Sequence, residues 1–231
     1  MHFGGGNRYS FRELKPHLHP ALEMVSLELP GHGNRLKEPL LTSLEAMADD
    51  AYEQMKPHLT GDAPFLMYGH SIGAMVMHLV ARKLHALGQK LPERLLLTGS
   101  RAPHGLGLKR VIYHQLTDQD FKKELILLGG VPQAVIESEE LMEFFLPIIR
   151  ADFQAMETYQ YSKVDPLPIP YLVVGGKDEE ISLESLQGWK SETQLPLEVH
   201  QLPGDHFFIF DQYPKIAQWL NERVKVPSYY A

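Results

Sequence analysis

The sequence contains no cysteine among its 231 residues. This absence excludes disulfide bonds, a thiolate nucleophile and any metal site built on cysteine. No apolar run approaches the roughly 18 residues of a membrane span, so we expect no transmembrane helix. Residues 1–8 lack the apolar stretch that a signal peptide requires. We therefore expect a cytoplasmic protein that does not associate with membranes.

Positive charge is also scarce. Lysine and arginine number 22 against 29 acidic residues, which gives a net charge of −7. A nucleic-acid-binding protein would usually carry a basic excess, so nucleic acid is excluded as the expected partner. The length and the 44% hydrophobic content suit one domain with a sizeable core. We expect a single domain over residues 1–231, and a monomer.

Short apolar runs alternate with amphipathic segments along most of the chain. Strands that are apolar on both faces and separated by helices predict an α/β fold with a mostly parallel central sheet flanked by helices. Thr42 and Glu45 are spaced as a capping box at the start of one helix. The predicted strands are 24–29, 64–68, 95–98, 171–174 and 197–202, and the predicted helices are 42–59, 72–87 and 213–224.

Residues 103–165 interrupt this alternation. They contain helical patterns at 118–128, 138–149 and 151–159 but no convincing strand. We interpret them as a helical lid insertion over the carboxyl edge of the sheet, where open α/β sheets bind ligands. Six apolar side chains could line a pocket there, although each could equally serve only helix packing: Leu125, Leu128, Phe144, Phe145, Ile149 and Phe153.

Ser71 is the predicted nucleophile. It is the centre of Gly69-His70-Ser71-Ile72-Gly73, which fits the pattern Gly-x-Ser-x-Gly and lies between a predicted strand and a predicted helix. That context is typical of the nucleophile elbow of α/β hydrolases, in which a strained turn exposes the serine hydroxyl. The alternative is a tight strand-to-helix turn without chemistry.

A serine nucleophile needs a base, and chain order selects it. In α/β hydrolases the order is serine, then acid, then histidine, on loops that follow late strands. His206 follows the last predicted strand, and Asp178 follows the strand before it. Glu179 and Glu180 compete with Asp178 because they are its neighbours. Asp165 precedes its strand, and Asp205 adjoins His206, so both are weaker candidates for the triad acid than Asp178. The histidines that we expect to be structural or solvated are His32, His70, His104 and His200.

The oxyanion hole requires two backbone N–H groups. Ile72, the residue after the nucleophile, should supply one, and Gly4 in the run Gly4-Gly5-Gly6 should supply the other. Such a loop should follow a strand, yet only residues 1–3 stand before it. We therefore expect either a very short strand or a truncated chain; a flexible tail is the alternative.

Eight segments in order together resemble the type II thioesterases of polyketide and nonribosomal peptide biosynthesis. Three positions depart from the usual family residues: Gly4 replaces alanine, His32 replaces arginine, and Glu179 replaces proline. The resemblance covers nearly the whole chain. Its segments are 3–7, 29–35, 69–74, 100–104, 128–132, 147–153, 175–178 and 203–208.

The resemblance implies an editing enzyme of the α/β-hydrolase superfamily. Its triad would be Ser71, Asp178 and His206, and it would hydrolyse unwanted acyl groups from the phosphopantetheine arms of acyl or peptidyl carrier proteins without a cofactor or metal. A related branch releases medium-chain fatty acids from fatty acid synthase. Two alternatives remain: a carboxylesterase acting on small oxygen esters, and an inactive hydrolase fold that serves as an interaction module.

Carrier proteins are usually acidic, so a local basic patch near the lid is expected despite the negative net charge. The candidates are Arg101, Lys109, Arg110, Lys122 and Lys123, which could also be merely solvated.

Overall fold

The central feature of the fold is a parallel sheet. The structure, a computed structural model, describes residues 1–106, 111–129 and 133–222. Within these ranges, four strands pair in the order β1-β2-β3-β4, and every pairing is parallel. This confirms the predicted fold class. The strands are β1 (Met67–His70), β2 (Leu95–Thr98), β3 (Tyr171–Gly176) and β4 (Leu197–Leu202).

Helices connect the strands. They are α1 (Leu44–Met55), α2 (Ile72–Ala86), α3 (Asp118–Leu128), α4 (Gln133–Ile136), α5 (Glu139–Thr158), α6 (Leu183–Gln187) and α7 (Tyr213–Asn221). Short 3-10 helices occur at Lys15–His17, Gly33–Arg35, Lys56–His58, Pro103–Gly105, Tyr113–Gln115, Gly188–Glu192 and Phe208–Phe210. Within the described ranges, no helix is both long enough and apolar enough to cross a membrane.

The ends of two helices test the sequence prediction. At the start of α1, the Ser43 hydroxyl accepts a hydrogen bond from the Ala46 N–H. The predicted Thr42 cap is therefore wrong by one residue. Gly88 follows α2 with φ of +62°, a left-handed conformation that a helix end favours and that glycine adopts without strain. The predicted end of α7 at Val224 lies outside the described residues.

The predicted strand at 24–29 is wrong. This segment belongs to no sheet, and side chains occupy both backbone groups of Glu28. The Glu28 N–H donates to Gln54 Oε1 at 3.1 Å, and the Glu28 carbonyl accepts from Gln54 Nε2 at 2.9 Å and from Arg35 at 2.7 Å. An apolar run alone therefore failed to distinguish a strand from an extended segment held by side chains.

The sheet is apolar on both faces. Leu95, Leu97 and Val173 pack on one face with α1 and α2. Leu96 and Val174 pack on the other face with α7 and the N-terminal segment. This alternation is expected where helices cover both faces of a parallel sheet. Because the four strands are parallel, their carboxyl ends all lie at the same edge of the sheet.

The segment between β2 and β3 carries α3, α4 and α5. The predicted helices at 138–149 and 151–159 are one continuous helix, α5, which runs through Pro147. Its buried stripe, including Met142 and Leu146, packs on Phe121 and Leu125 of α3. This separate small core explains why the proline does not end the helix: tertiary packing outweighs the lost backbone hydrogen bond.

Candidate active site

Ser71 lies in the turn between β1 and α2. Its backbone has φ of 55° and ψ of −121°, and it is the one non-glycine residue with positive φ in the described parts of the chain. A non-glycine residue in such a sparsely populated conformation costs on the order of 1–3 kcal/mol and persists only when its surroundings enforce it. The Ser71 N–H donates to the Thr98 carbonyl of β2 at 2.8 Å, which contributes to that enforcement. The predicted strained elbow is present.

The two glycines of the motif are required by space. A Cβ on Gly69 would lie 2.1 Å from the Gly73 carbonyl oxygen. A Cβ on Gly73 would lie 2.3 Å from the His2 carbonyl oxygen. Both contacts are to backbone atoms, which cannot move aside cheaply. The steric reason for Gly-x-Ser-x-Gly is therefore visible on both sides of Ser71.

His206 contacts Ser71 as predicted. Its Nε2 lies 3.0 Å from the Ser71 hydroxyl oxygen, and its side chain is 27% exposed. The loop after β4 carries His206. Asp205 braces this loop, since its carboxylate accepts from the Phe207 N–H at 2.7 Å and its carbonyl from the Phe208 N–H at 3.1 Å. Asp205 thus stabilises its own loop.

The carboxylate beside His206 is that of Glu179, not that of Asp178. Glu179 Oε2 lies 2.8 Å from His206 Nδ1, and its other oxygen accepts from the Gly176 N–H at 2.6 Å. The Glu179 side chain is 2% exposed. The contact predicted for Asp178 is therefore corrected by one residue, to a rival that the sequence had left open.

Asp178 is occupied elsewhere. Its N–H donates to the Gly204 carbonyl at 3.0 Å, and its carboxylate accepts from the Gly204 N–H at 3.2 Å. These two bonds join the loops after β3 and β4 and leave the side chain exposed. Glu180 is also exposed, and among the described residues no hydrogen bond joins Glu180 or Asp165 to His206, whose carboxylate partner is Glu179.

The two residues predicted to form the oxyanion hole, Ile72 and Gly4, line the same cavity as Ser71. Ile72 is the first residue of α2, so helix geometry gives its N–H no intrahelical acceptor. Residues 4–6, here called the glycine loop, form a turn in which the Gly6 N–H donates to the Phe3 carbonyl at 2.9 Å. Residues 1–3 are not a strand, but the His70 N–H donates to the Met1 carbonyl at 3.4 Å.

Asp152 anchors the glycine loop. This buried residue of α5 accepts a hydrogen bond from the Gly5 N–H at 2.7 Å and lies 3.0 Å from His32 Nε2 at the same oxygen, Oδ2. From the sequence, His32 was expected to be structural or solvated, and Asp152 was not identified. The contact spans 147 positions, and the only available signal was that the segments 29–35 and 147–153 both match the family.

A cavity of about 820 Å³ opens beside Ser71. Five of the six predicted lid side chains line it, namely Leu125, Leu128, Phe145, Ile149 and Phe153. Phe144 is absent from the lining and is 49% exposed. The volume is within the range of roughly 300–1,000 Å³ that small-molecule sites have. An apolar group of moderate size therefore fits next to the nucleophile.

His70 is a neutral neighbour of His206. Burial, and then the nearby His206, lower the pKa of His70 well below its ordinary value. Its Nδ1 lies 2.9 Å from the Thr98 hydroxyl, and its ring centroid lies 5.0 Å from that of His206. The expected packing role fits these contacts. His104 contacts Ser191, and His200 stacks on Trp219, both outside the site.

The predicted basic patch is only partly described. Arg101 lines the cavity and donates to the Glu180 carbonyl at 3.3 Å. Lys123 is paired with Asp120 on the exposed face of α3 at 3.1 Å. Lys109 and Arg110 lie outside the described residues, as do positions 130–132 of a matched segment. Lys122 is partly exposed.

Comparisons with known proteins agree with this geometry. The family model described as thioesterase domain matches residues 1–224. The gramicidin S biosynthesis protein GrsT of Aneurinibacillus migulanus is 31% identical over 97% of this chain and 87% of its own. Thioesterase PikA5 of Streptomyces venezuelae is 32% identical over 97% and 79%. The structure of the RedJ thioesterase from the prodiginine pathway of Streptomyces coelicolor superposes with a TM-score of 0.88 at 29% identity, covering 96% of this chain and 87% of its own.

Proposed function

Because the chain belongs to the thioesterase family, we propose that it hydrolyses acyl groups from the phosphopantetheine arms of acyl or peptidyl carrier proteins. Ser71 is the nucleophile, His206 the general base and acid, and Glu179 the carboxylate that orients His206. The observation that carries this proposal is the continuous hydrogen-bond chain Glu179–His206–Ser71 on a strained elbow beside an apolar cavity.

The first half of the reaction transfers the acyl group. His206 Nε2 takes the proton of the Ser71 hydroxyl as its oxygen bonds to the thioester carbonyl carbon. The N–H groups of Ile72 and Gly4 receive the negative charge that develops on the carbonyl oxygen. The carbon–sulfur bond then breaks, and His206 gives the proton that it took from Ser71 to the departing thiolate. Glu179 keeps the His206 proton on Nδ1 and stabilises the transient imidazolium.

The second half releases the acid. His206 Nε2 takes a proton from water, whose oxygen attacks the acyl-Ser71 ester carbon. The bond to Ser71 breaks, and His206 returns the proton to the serine oxygen. The products are a carboxylic acid and a carrier protein with a free thiol. Each half uses the same base and the same oxyanion donors.

The cavity and its surroundings support an acyl substrate on a long arm. Its lining is dominated by leucine, isoleucine, valine and phenylalanine side chains, which suit an apolar chain. Leu127 belongs to that lining and is 80% exposed, which marks the side of α3 as the entrance. Residues 103–165 would then act as the lid of a single domain. A carrier protein would dock at this entrance, where Arg101 belongs to the cavity lining.

The editing role rests on the relatives. GrsT is named for gramicidin S biosynthesis, and RedJ for the prodiginine pathway. By analogy, this chain would clear stalled acyl groups from an assembly line of the polyketide or nonribosomal peptide type. Neither a cofactor nor a metal enters the proposed steps.

The test compares wild type with Ser71→Ala on a panel of acyl carrier proteins loaded with acyl groups of increasing length. Wild type should release free acid and regenerate the carrier thiol, and Ser71→Ala should lose at least about a thousandfold in kcat. Thiol release by Ser71→Ala at the wild-type rate would refute the mechanism. A rate on a nitrophenyl ester far above that on every carrier thioester would instead identify a carboxylesterase.

A further inference from the structure

His32 is enclosed by hydrogen-bond acceptors. Its Nδ1 lies 3.0 Å from the Pro30 carbonyl oxygen, and its Nε2 lies 3.0 Å from Asp152 Oδ2. A carbonyl and a carboxylate oxygen both require a donor. Neutral imidazole carries one N–H and one bare lone pair, so it can satisfy only one of these oxygens. The doubly protonated ring satisfies both.

Neighbouring His2 has the opposite arrangement. Its Nδ1 lies 2.8 Å from the Phe3 carbonyl, while its Nε2 lies 3.3 Å from the Leu29 N–H, which must donate. This pattern fits a neutral ring with its proton on Nδ1. Burial, and then the positive His32, lower the pKa of His2 to about 3. Of the two rings, whose centroids are 5.0 Å apart, His32 carries the charge.

The charge on His32 is compensated locally. The side chains of His32 and Asp152 are each 2% exposed, so neither ion is stabilised by bulk water. Asp152 Oδ1 has no hydrogen-bond partner among the described residues, which makes the positive ring its principal compensation. Burial alone would lower the pKa of His32, but the Asp152 hydrogen bond and charge, the Pro30 carbonyl and the Glu28 charge raise it above its ordinary value.

This pair is attached to the glycine loop. The Asp152 Oδ2 atom that faces His32 also accepts a hydrogen bond from the N–H of Gly5. Gly5 is the residue after Gly4, the proposed oxyanion donor. The loop also contacts α5 directly, because a Cβ on Gly5 would lie 2.8 Å from Ile149 Cγ1. The position of the Gly4 N–H therefore depends on where Asp152 holds Gly5.

We propose that His32 is a positioning residue: as a buried imidazolium it fixes Asp152, and through Asp152 it aligns the glycine loop for the oxyanion. The inference rests on the proposed function. Loss of the proton leaves a bare nitrogen facing an oxygen and an uncompensated Asp152 carboxylate. The loop then loosens, and turnover falls in alkaline solution. The charged or titratable groups around the pair are Glu28, His2 and the amino group of Met1, which donates to the Tyr68 carbonyl.

The experiment measures kcat and KM against pH for wild type, His32→Gln and His32→Arg. Glutamine is neutral at every pH, and arginine is charged at every pH. Wild type should lose about tenfold to a hundredfold in kcat on the alkaline side, with KM changed by less than about threefold, because misplacing a catalytic group by about 1 Å costs that order of rate. His32→Gln should be low throughout without that alkaline fall, and His32→Arg should remain high in alkaline solution. His104→Gln, at an exposed histidine outside the site, should follow wild type.

Two further measurements decide the inference independently of thioester turnover. Nitrogen NMR of the histidine rings should show one imidazolium signal, absent from His32→Gln, that loses its proton at a higher pH than the ordinary value of about 6.5. The rate of fluorophosphonate labelling of Ser71 should show the same His32-dependent alkaline fall. A His32 ring that loses its proton at or below about pH 6.5, or identical alkaline profiles in wild type and His32→Gln, would overturn the proposal.

The outcomes separate the two proposals. A wild type that reacts with the fluorophosphonate but hydrolyses no carrier thioester refutes the proposed substrate and leaves the labelling profile to decide the role of His32. If His32→Arg does not fold, as judged by thermal unfolding, the profile of His32→Gln and the NMR signal decide it.

Discussion

The replacement Glu179→Gln tests which carboxylate orients His206. Glu179 serves two donors at once, the Gly176 N–H at 2.6 Å and His206 Nδ1 at 2.8 Å. A glutamine has one oxygen and one NH₂ group. With its oxygen kept on the Gly176 N–H, its NH₂ would face Nδ1 and force the imidazole proton onto Nε2. That nitrogen would then present a proton to Ser71 rather than a lone pair.

The magnitude follows from that tautomer. In Ser-His-acid triads, converting the acid to its amide costs about 10⁴-fold in kcat because the histidine adopts the wrong tautomer. A partly exposed His206 can exchange its proton with water, so we expect a loss of about 10³–10⁴-fold, or about 4–5 kcal/mol of transition-state stabilisation. The assay is steady-state release of thiol from an acyl thioester, with KM expected to change little.

Asp178→Asn is the matched control. This side chain is exposed, and an asparagine oxygen can still accept the Gly204 N–H. We expect kcat within about threefold of wild type, since nothing at His206 changes. Thermal unfolding of both variants would check that they fold. A near-normal Glu179→Gln together with a hundredfold loss in Asp178→Asn would refute this assignment.

Three further predictions follow. Phe145→Ala should move the preference toward longer acyl chains by about tenfold in kcat/KM, whereas Phe144→Ala, outside the cavity lining, should leave the chain-length profile unchanged. Gly73→Ala should destabilise the fold by about 2 kcal/mol and lower Tm by about 4–8 °C, because its Cβ meets two backbone carbonyls, whereas Gly105→Ala, with its nearest neighbour at 3.7 Å, should not. Because the folded-state pKa of His32 is raised, its stabilisation should be complete below about pH 6.5 and be lost as pH rises through the folded value; urea unfolding of wild type against His32→Gln should show their difference in unfolding free energy shrinking over that interval.

The sequence predicts well those features that local chemistry determines. The turn around Ser71 is an example, because backbone atoms leave no space for a Cβ at Gly69 or at Gly73. The alternation of apolar runs identified the parallel sheet, since strands covered on both faces must be apolar throughout. His206 followed from loop order alone.

Features that depend on loop conformation could not be predicted from the sequence. Asp178 and Glu179 are adjacent carboxylates after the same strand, and which one reaches His206 depends on how the turn after Gly176 bends. Here the bonds between Asp178 and Gly204 commit the shorter side chain to bracing the turn. The Gly5–Asp152 contact joins positions 147 residues apart, which no local pattern specifies.

Helix α5 both lines the cavity and holds the glycine loop. Ile149 and Phe153 form part of the wall against which an acyl chain would rest, and Asp152 between them holds the glycine loop. An acyl chain that displaces this wall also moves a donor of the oxyanion hole. Poorly fitting substrates would then be held but turned over slowly, so discrimination would be expressed in rate rather than in affinity.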